Sequence, residues 1–137
     1  MSDNFNGQKL SEAEINELKK EAESVITQRV AYFARVVGVE YGRITIRCQK
    51  TRWGSCSSKG NLNFNCLLMR APPEVLDSVV VHEVCHLKVM NYSKAFYNEV
   101  LRAYPNYRED HQWLKDHGGE LMSRVRWPKR RTCLFRP

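Results

Sequence analysis

His82, Glu83 and His86 stand in the order H-E-x-x-H. On a helix, residues i and i+4 project from one face about one turn apart, so two imidazoles can converge on one divalent ion at about 2.0–2.1 Å. Glu83, rotated by about a quarter turn, comes close enough to serve a water without ligating the ion itself. Zinc lowers the pKa of such a water toward neutrality, a carboxylate takes its proton, and the resulting hydroxide attacks a carbonyl polarised by the same ion. That is amide hydrolysis without a covalent enzyme intermediate, with His82 and His86 as metal ligands and Glu83 as general base. The opposed reading is a pair of core histidines satisfied by hydrogen bonds. Burying two imidazoles and a carboxylate side by side is costly unless something pairs them, which favours the metal.

The chemistry requires the motif to sit on a helix, and the flanking residues provide one. Pro72 and Pro73 open an apolar run over 74–90 in which Leu76, Val80, Val84 and Leu87 share one side and Val75, Val79, His82 and His86 a neighbouring one. A helix apolar over most of its circumference is a buried one. Asn91 is its expected stop, Ser93 caps a helix over 94–104, and a last helix runs about 107–117 before Gly118-Gly119 breaks it. Upstream, Ser11 and Glu14 form a capping box for an amphipathic helix of about 25 residues that ends at Gly38. Residues 43–49 and 61–66 alternate with period two, and Ser57-Ser-Lys-Gly60 suits a turn, so this pair is expected as an antiparallel hairpin. Between them lies Thr51–Cys56, a strand whose Gly54 marks a bulge or a close backbone approach.

A chain of 137 residues is one ordinary domain. Its net charge of +7 suggests nucleic acid until it is located. Six cations and no acidic residue fall in 124–137, where Trp127 and Phe135 interleave with them. That composition suits phosphate contact and base stacking, and equally a solubilising tail, the commoner case. The expected organisation is a flexible N-terminus over 1–10, one domain over 11–123 and a basic tail over 124–137. Five cysteines without CxxC spacing argue for reduced thiols rather than a disulfide framework or a cysteine zinc knuckle. No apolar run approaches a membrane span and no signal-peptide pattern opens the chain, so no membrane partner and a cytoplasmic location are expected.

Several segments in order resemble the YgjP-like metallopeptidase domain, a relative of the SprT-like and WLM zinc proteases: Thr51-Arg-Trp-Gly-Ser-Cys56, Gly60-Asn-Leu-Asn-Phe-Asn65, Leu68-Met-Arg-Ala-Pro-Pro-Glu74, Val81-His-Glu-Val-Cys-His-Leu87 and Met90-Asn-Tyr-Ser-Lys-Ala-Phe96. The resemblance covers about residues 10–120. It implies an α+β, zincin-like core: a long N-terminal helix, a small mostly antiparallel sheet, and a buried active-site helix carrying the motif, with further helices after it. It also implies one zinc ion, a polypeptide substrate, and a packing role for Cys85. Members are usually longer at the N-terminus, so this chain is expected as a reduced catalytic core. Arg52 and Trp53 fall on the strand that borders the cleft in zincins, where an extended substrate can pair by strand addition. The plain alternative is Trp53 packed in the core and Arg52 solvated or paired.

The resemblance also exposes a departure. The family's third zinc ligand is a histidine six residues after the second motif histidine, in an Asn-His-Ser step, and here that step reads Asn91-Tyr92-Ser93. A phenol, with an ordinary pKa of about 10, must lose its proton to ligate and is a poorer donor than neutral imidazole. Tyr92 is therefore a candidate third ligand, with water, Glu99 or His111 as substitutes and zinc or another divalent metal as the ion. The expected function is a zinc metallopeptidase weakened by Tyr92. The alternative is a catalytically impaired zincin-like domain that binds protein, or nucleic acid through the basic tail. Asp110, His111, Asp116 and His117 read as polar surface of a helix rather than a second metal site.

Overall fold

Ser11 starts the first helix as the capping box requires: its hydroxyl accepts from the Glu14 N–H and the Glu14 carboxylate accepts from the Ser11 N–H. In the computed structural model, which describes residues 9–127, this helix α1 occupies Glu12–Val37 and ends at Gly38 with φ +84. That left-handed cap is a conformation glycine adopts without a Cβ penalty. Lys9 and Leu10, expected within a flexible N-terminus, are docked: the Leu10 N–H donates to the Arg124 carbonyl, Lys9 Nζ to the Ser123 carbonyl, and the Leu10 side chain is buried.

Three short strands follow, β1 (Ile44–Arg47), β2 (Gly54–Cys56) and β3 (Leu62–Asn65), in the order β1-β3-β2. The expected hairpin between the first and last strands does not form. β1 pairs with β3 in parallel, Ile44 opposite Leu62 and Arg47 opposite Asn65, while β2 supplies the antiparallel partner, Gly54 opposite Phe64. The sheet is thus mixed, because the turn at 57–60 serves the intervening strand and β1 must reach β3 by a crossover. A 3₁₀ turn over Cys66–Arg70 leads to α2 (Pro73–His86), α3 (Lys94–Ala103) and α4 (Tyr107–Met122).

Helix α2 is the centre of this α+β fold, packed against α1, α3, α4 and β2. Its Val75, Leu76, Val79, Val80, Val81, Val84 and Cys85 are all buried, as a helix without a polar face must be. Phe33 of α1, Phe64 of β3 and Phe96 of α3 fill the space around it. Truncating any one of these rings to alanine is expected to cost about 3–5 kcal/mol. Arg29 of α1 clamps α2 through a two-pronged pair with Asp77, at 2.8 and 3.0 Å.

Two helix ends differ from the sequence expectation. α2 stops at His86 rather than near Met90, and the Leu87, Lys88 and Val89 N–H groups fold back onto the Val84 and Cys85 carbonyls. α4 runs through Gly118-Gly119 to Met122. A Cβ on Gly118 would lie 3.0 Å from Cζ2 of Trp53, so this glycine makes room for an indole instead of ending a helix. No helix among the described residues is long and apolar enough to cross a membrane.

Candidate active site

The last turn of α2 carries both motif histidines and Glu83 to one place. Donor atoms of His82, Glu83 and His86 all lie within 4.8 Å of one another, the one such group among the described residues that could hold a metal ion. The ring orientations also suit that task. His86 donates Nδ1–H to the Val89 carbonyl at 3.1 Å, which leaves its Nε2 with the bare lone pair that a metal needs. The early end of α2 supplies that carbonyl, and Phe96 lies flat against the imidazole with centroids 4.2 Å apart.

His82 is held from three sides. Its Nδ1 is 2.7 Å from the hydroxyl of Tyr107, its ring is parallel to that of His111, and Phe96 meets it edge-on. The tautomer that donates Nδ1–H to Tyr107 frees Nε2 for a ligand, and in that tautomer Nε2 accepts from the Tyr92 hydroxyl at 3.2 Å. Burial, with His111 and His86 nearby, pushes the His82 pKa down to about 3. Burial also lowers that of His86. Both rings are therefore neutral at pH 7, as ligation requires.

The Tyr92 to His82 spacing passes a fit test for a shared ion. Two first-row donors on one tetrahedral zinc stand about 3.3 Å apart, given bonds of about 2.0 Å. The observed 3.2 Å matches that separation. The phenol itself is less favourable: burial, then Glu83 and Tyr97, raise its pKa above the ordinary 10. Glu99 does not compete for the position, because it accepts from Arg102 at 2.9 Å and pairs with Lys88 at 3.3 Å. His111 turns its Nδ1 to Ser78, and Asp110 accepts from the Tyr104 hydroxyl.

Glu83 faces β2. A Cβ at Gly54 would lie 3.0 Å from Glu83 Cγ and 3.2 Å from its Oε2, so glycine is what allows the strand to approach the carboxylate. The carboxylate has no hydrogen-bond partner among the described residues and is not sealed from solvent. Burial pushes its pKa up to about 8, with the Arg52 charge acting the other way. Glu83, His86, Tyr92, Arg52, Gly54 and Ser55 line an open hollow of about 400 Å³. β2 is an edge strand of the sheet, and its residues 54–56 all line this hollow.

Of the two residues expected at the substrate, Arg52 is exposed in the hollow, and Trp53 lines a second hollow with Arg52, His82 and Glu83 while its ring packs on Gly118. The loop that carries them is fastened by Asn65, whose side-chain amide donates to the Gln49 and Arg52 carbonyls at 2.7 and 2.9 Å while its oxygen caps the 3₁₀ turn. Cys85 is buried as packing. Asn65, Ser78 and Tyr107 escaped the sequence reading. Tyr107 is 25 positions from His82 and meets it only through the packing of α4 on α2, which no local spacing reports. Of the basic tail, Arg124 and Val125 are buried and Trp127 donates to the Met122 carbonyl, while 128–137 lie outside the described residues.

Comparison with known proteins gives a consistent answer. The family model described as YgjP-like, metallopeptidase domain, matches residues 2–117. The chain is similar to the crystal structure of the metallopeptidase zymogen abylysin of Pyrococcus abyssi, with a TM-score of 0.59 and 18% identity, over 66% of this chain and 93% of that one. It is similar likewise to the metallopeptidase zymogen jannalysin of Methanocaldococcus jannaschii, with a TM-score of 0.59 and 24% identity, over 66% and 94%. At such identities the likeness speaks for the fold, a zincin-like core. No curated protein matches the sequence.

Proposed function

This chain belongs to the YgjP-like metallopeptidase domain family, and from that premise we propose that it hydrolyses polypeptides with Glu83 as general base and a zinc ion held by His82, His86 and Tyr92. The observation that carries the reading is the convergence of His82, Glu83 and His86 donors within 4.8 Å on a buried helix end. When bound, such an ion supplies Lewis acidity that polarises a carbonyl and acidifies water.

The remaining work falls to this chain's own residues. Val89 and Tyr107 fix the two imidazoles so that Nε2 of each faces the cleft. An extended polypeptide lies along the free edge of β2, where backbone groups of residues 54–56 accept and donate to it. Glu83, kept close to neutral pKa by burial, takes the proton of the attacking water and delivers it to the leaving amine. Arg52, on the same wall, holds the carboxylate from rising further and offers a cation to an acidic group of the substrate. Trp53 serves this site by anchoring the wall to α4.

A second reading is a weakened domain that holds polypeptide without turning it over. It is favoured by the raised phenol pKa of Tyr92, which opposes ligation. Its nucleic-acid form depends on residues 124–137, most of whose cations lie outside the described residues.

Incubation of the zinc-loaded protein with unfolded β-casein separates the two. Cleavage that disappears in Glu83→Gln supports the peptidase. Binding without cleavage supports the second reading, and undiminished zinc content in His82→Ala sinks the ligand assignment of both.

A further inference from the structure

Helix α4 brings to the cleft an imidazole that the reading above leaves without a task. His111 lines a hollow of about 300 Å³ together with Arg52, His82, Glu83 and Tyr92. It also lines an adjoining hollow of about 270 Å³ with Tyr97, Tyr107, Arg108, Gln112 and Lys115, so it stands where the two meet. Its ring is parallel to that of His82, with planes 7° apart and centroids 5.4 Å apart, and it stacks on Tyr107 at 4.8 Å. Flanked by two rings, it has a fixed orientation.

Its tautomer is fixed as well. Ser78 has one hydroxyl hydrogen and donates it to the Val75 carbonyl at 2.7 Å. The 3.1 Å contact between Ser78 Oγ and His111 Nδ1 must then take its hydrogen from the imidazole. A neutral imidazole has a single N–H, so Nε2 of His111 carries only a lone pair. That nitrogen has no hydrogen-bond partner among the described residues and is not buried away from solvent. It is also outside the close group of donors formed by His82, Glu83 and His86. His111 lines the hollow that also holds His82 and Glu83, and an uncharged acceptor there calls for an N–H, which every peptide bond supplies.

We propose that His111 is a substrate-binding residue whose Nε2 accepts a hydrogen bond from a backbone N–H of the polypeptide in the cleft. The proposal rests on the peptidase reading for its substrate class. Ser78 is the positioning residue that selects the tautomer, and the stacked rings of His82 and Tyr107 set the direction of the lone pair.

The test uses a quenched-fluorescent octapeptide taken from a β-casein cleavage site, with zinc-loaded wild type, His111→Leu and His111→Gln. Loss of one hydrogen bond should raise KM about five- to tenfold in His111→Leu with kcat within about twofold. His111→Gln, which keeps an acceptor at that reach, should recover most of the loss. Bound zinc per chain should be equal in all three. An unchanged KM, or zinc lost from His111→Leu, overturns the proposal, the latter by making His111 a metal ligand. A second readout needs no turnover: in Glu83→Gln, the 15N resonance of the bare His111 Nε2 should move upfield as the same unlabelled octapeptide without its fluorophores is added. A static resonance overturns the proposal. A wild type that cleaves nothing but shows this shift fails the peptidase reading alone.

Discussion

The hydroxyl of Tyr92 stands 3.2 Å from Nε2 of His82, at the spacing of two donors that share one ion. A tyrosine that completes the shell must surrender its proton there, whereas a histidine would not. Tyr92→Phe should weaken zinc binding by more than about tenfold, and Tyr92→His should strengthen it. Competition against a chromophoric chelator measures both. Equal affinities across the three proteins would place the third donor elsewhere.

Gly54 is the residue that lets β2 approach Glu83. In Gly54→Ala the new methyl would meet Glu83 Cγ at 3.0 Å and Val79 Cγ1 at 3.2 Å, so the strand or the carboxylate must shift. Stability should fall by about 1–3 kcal/mol. Peptide turnover should fall at least tenfold while zinc content holds, because the histidines do not move. A variant with wild-type kcat would show that the carboxylate does not depend on this contact.

The buried carboxylate should also shape the pH dependence of the metal-free protein. An acid whose pKa rises on folding, here from 4.5 to about 8 for Glu83, keeps its proton longer in the folded state. Its ionisation therefore removes stability as pH climbs between those two values. His82, whose pKa falls from 6.5 to about 3, removes stability in the other direction, as pH drops through that range. Glu83→Gln should abolish the alkaline loss and leave the acid one. Calorimetry in chelator should thus find the variant's advantage in Tm larger near pH 8 than near pH 5, and a difference independent of pH would refute the assignment.

Tyr107→Phe deletes the hydroxyl 2.7 Å from His82 Nδ1 and nothing else. Loss of such a partner usually costs a metal site about 10- to 100-fold in affinity, against about 1 kcal/mol of folding stability for one hydrogen bond. Affinity falling with Tm almost unchanged is the expected pattern. Parallel losses in both would make Tyr107 a packing residue only.

Features with local signatures were legible in the sequence. The Ser11–Glu14 box, the Gly38 cap and the Ser93 cap each announce a helix end through side-chain chemistry within four residues, and all three occur where expected. The H-E-x-x-H spacing likewise brings its three side chains together through helix geometry alone. What failed was what depends on distant neighbours. Alternation in residues 43–49 is the same for a parallel or an antiparallel partner, so the pairing of β1 with β3 could not be read from it.

Gly118 taught the same lesson. A glycine in a helical stretch is a stop signal until an indole from elsewhere turns out to need its space. Of the candidate site, the grouping of His82, Glu83 and His86 was legible. Tyr107, Ser78 and Asn65 were not, since each acts across packed elements rather than along the chain.

The parallel pairing of β1 with β3 bears on the order of assembly. Among the described residues β1 has no sheet partner except β3, and the loop bearing Arg52 hangs on the backbone and side-chain amides of Asn65, the last residue of β3, with the Trp53 ring reaching the still later α4. During synthesis from the N-terminus, every residue from 44 to 61 is thus made before anything exists for β1 to pair with. Of the described residues, those made by then hold α1 and a length of unpaired chain, and the wall of the cleft is completed retroactively, by the strand that comes last.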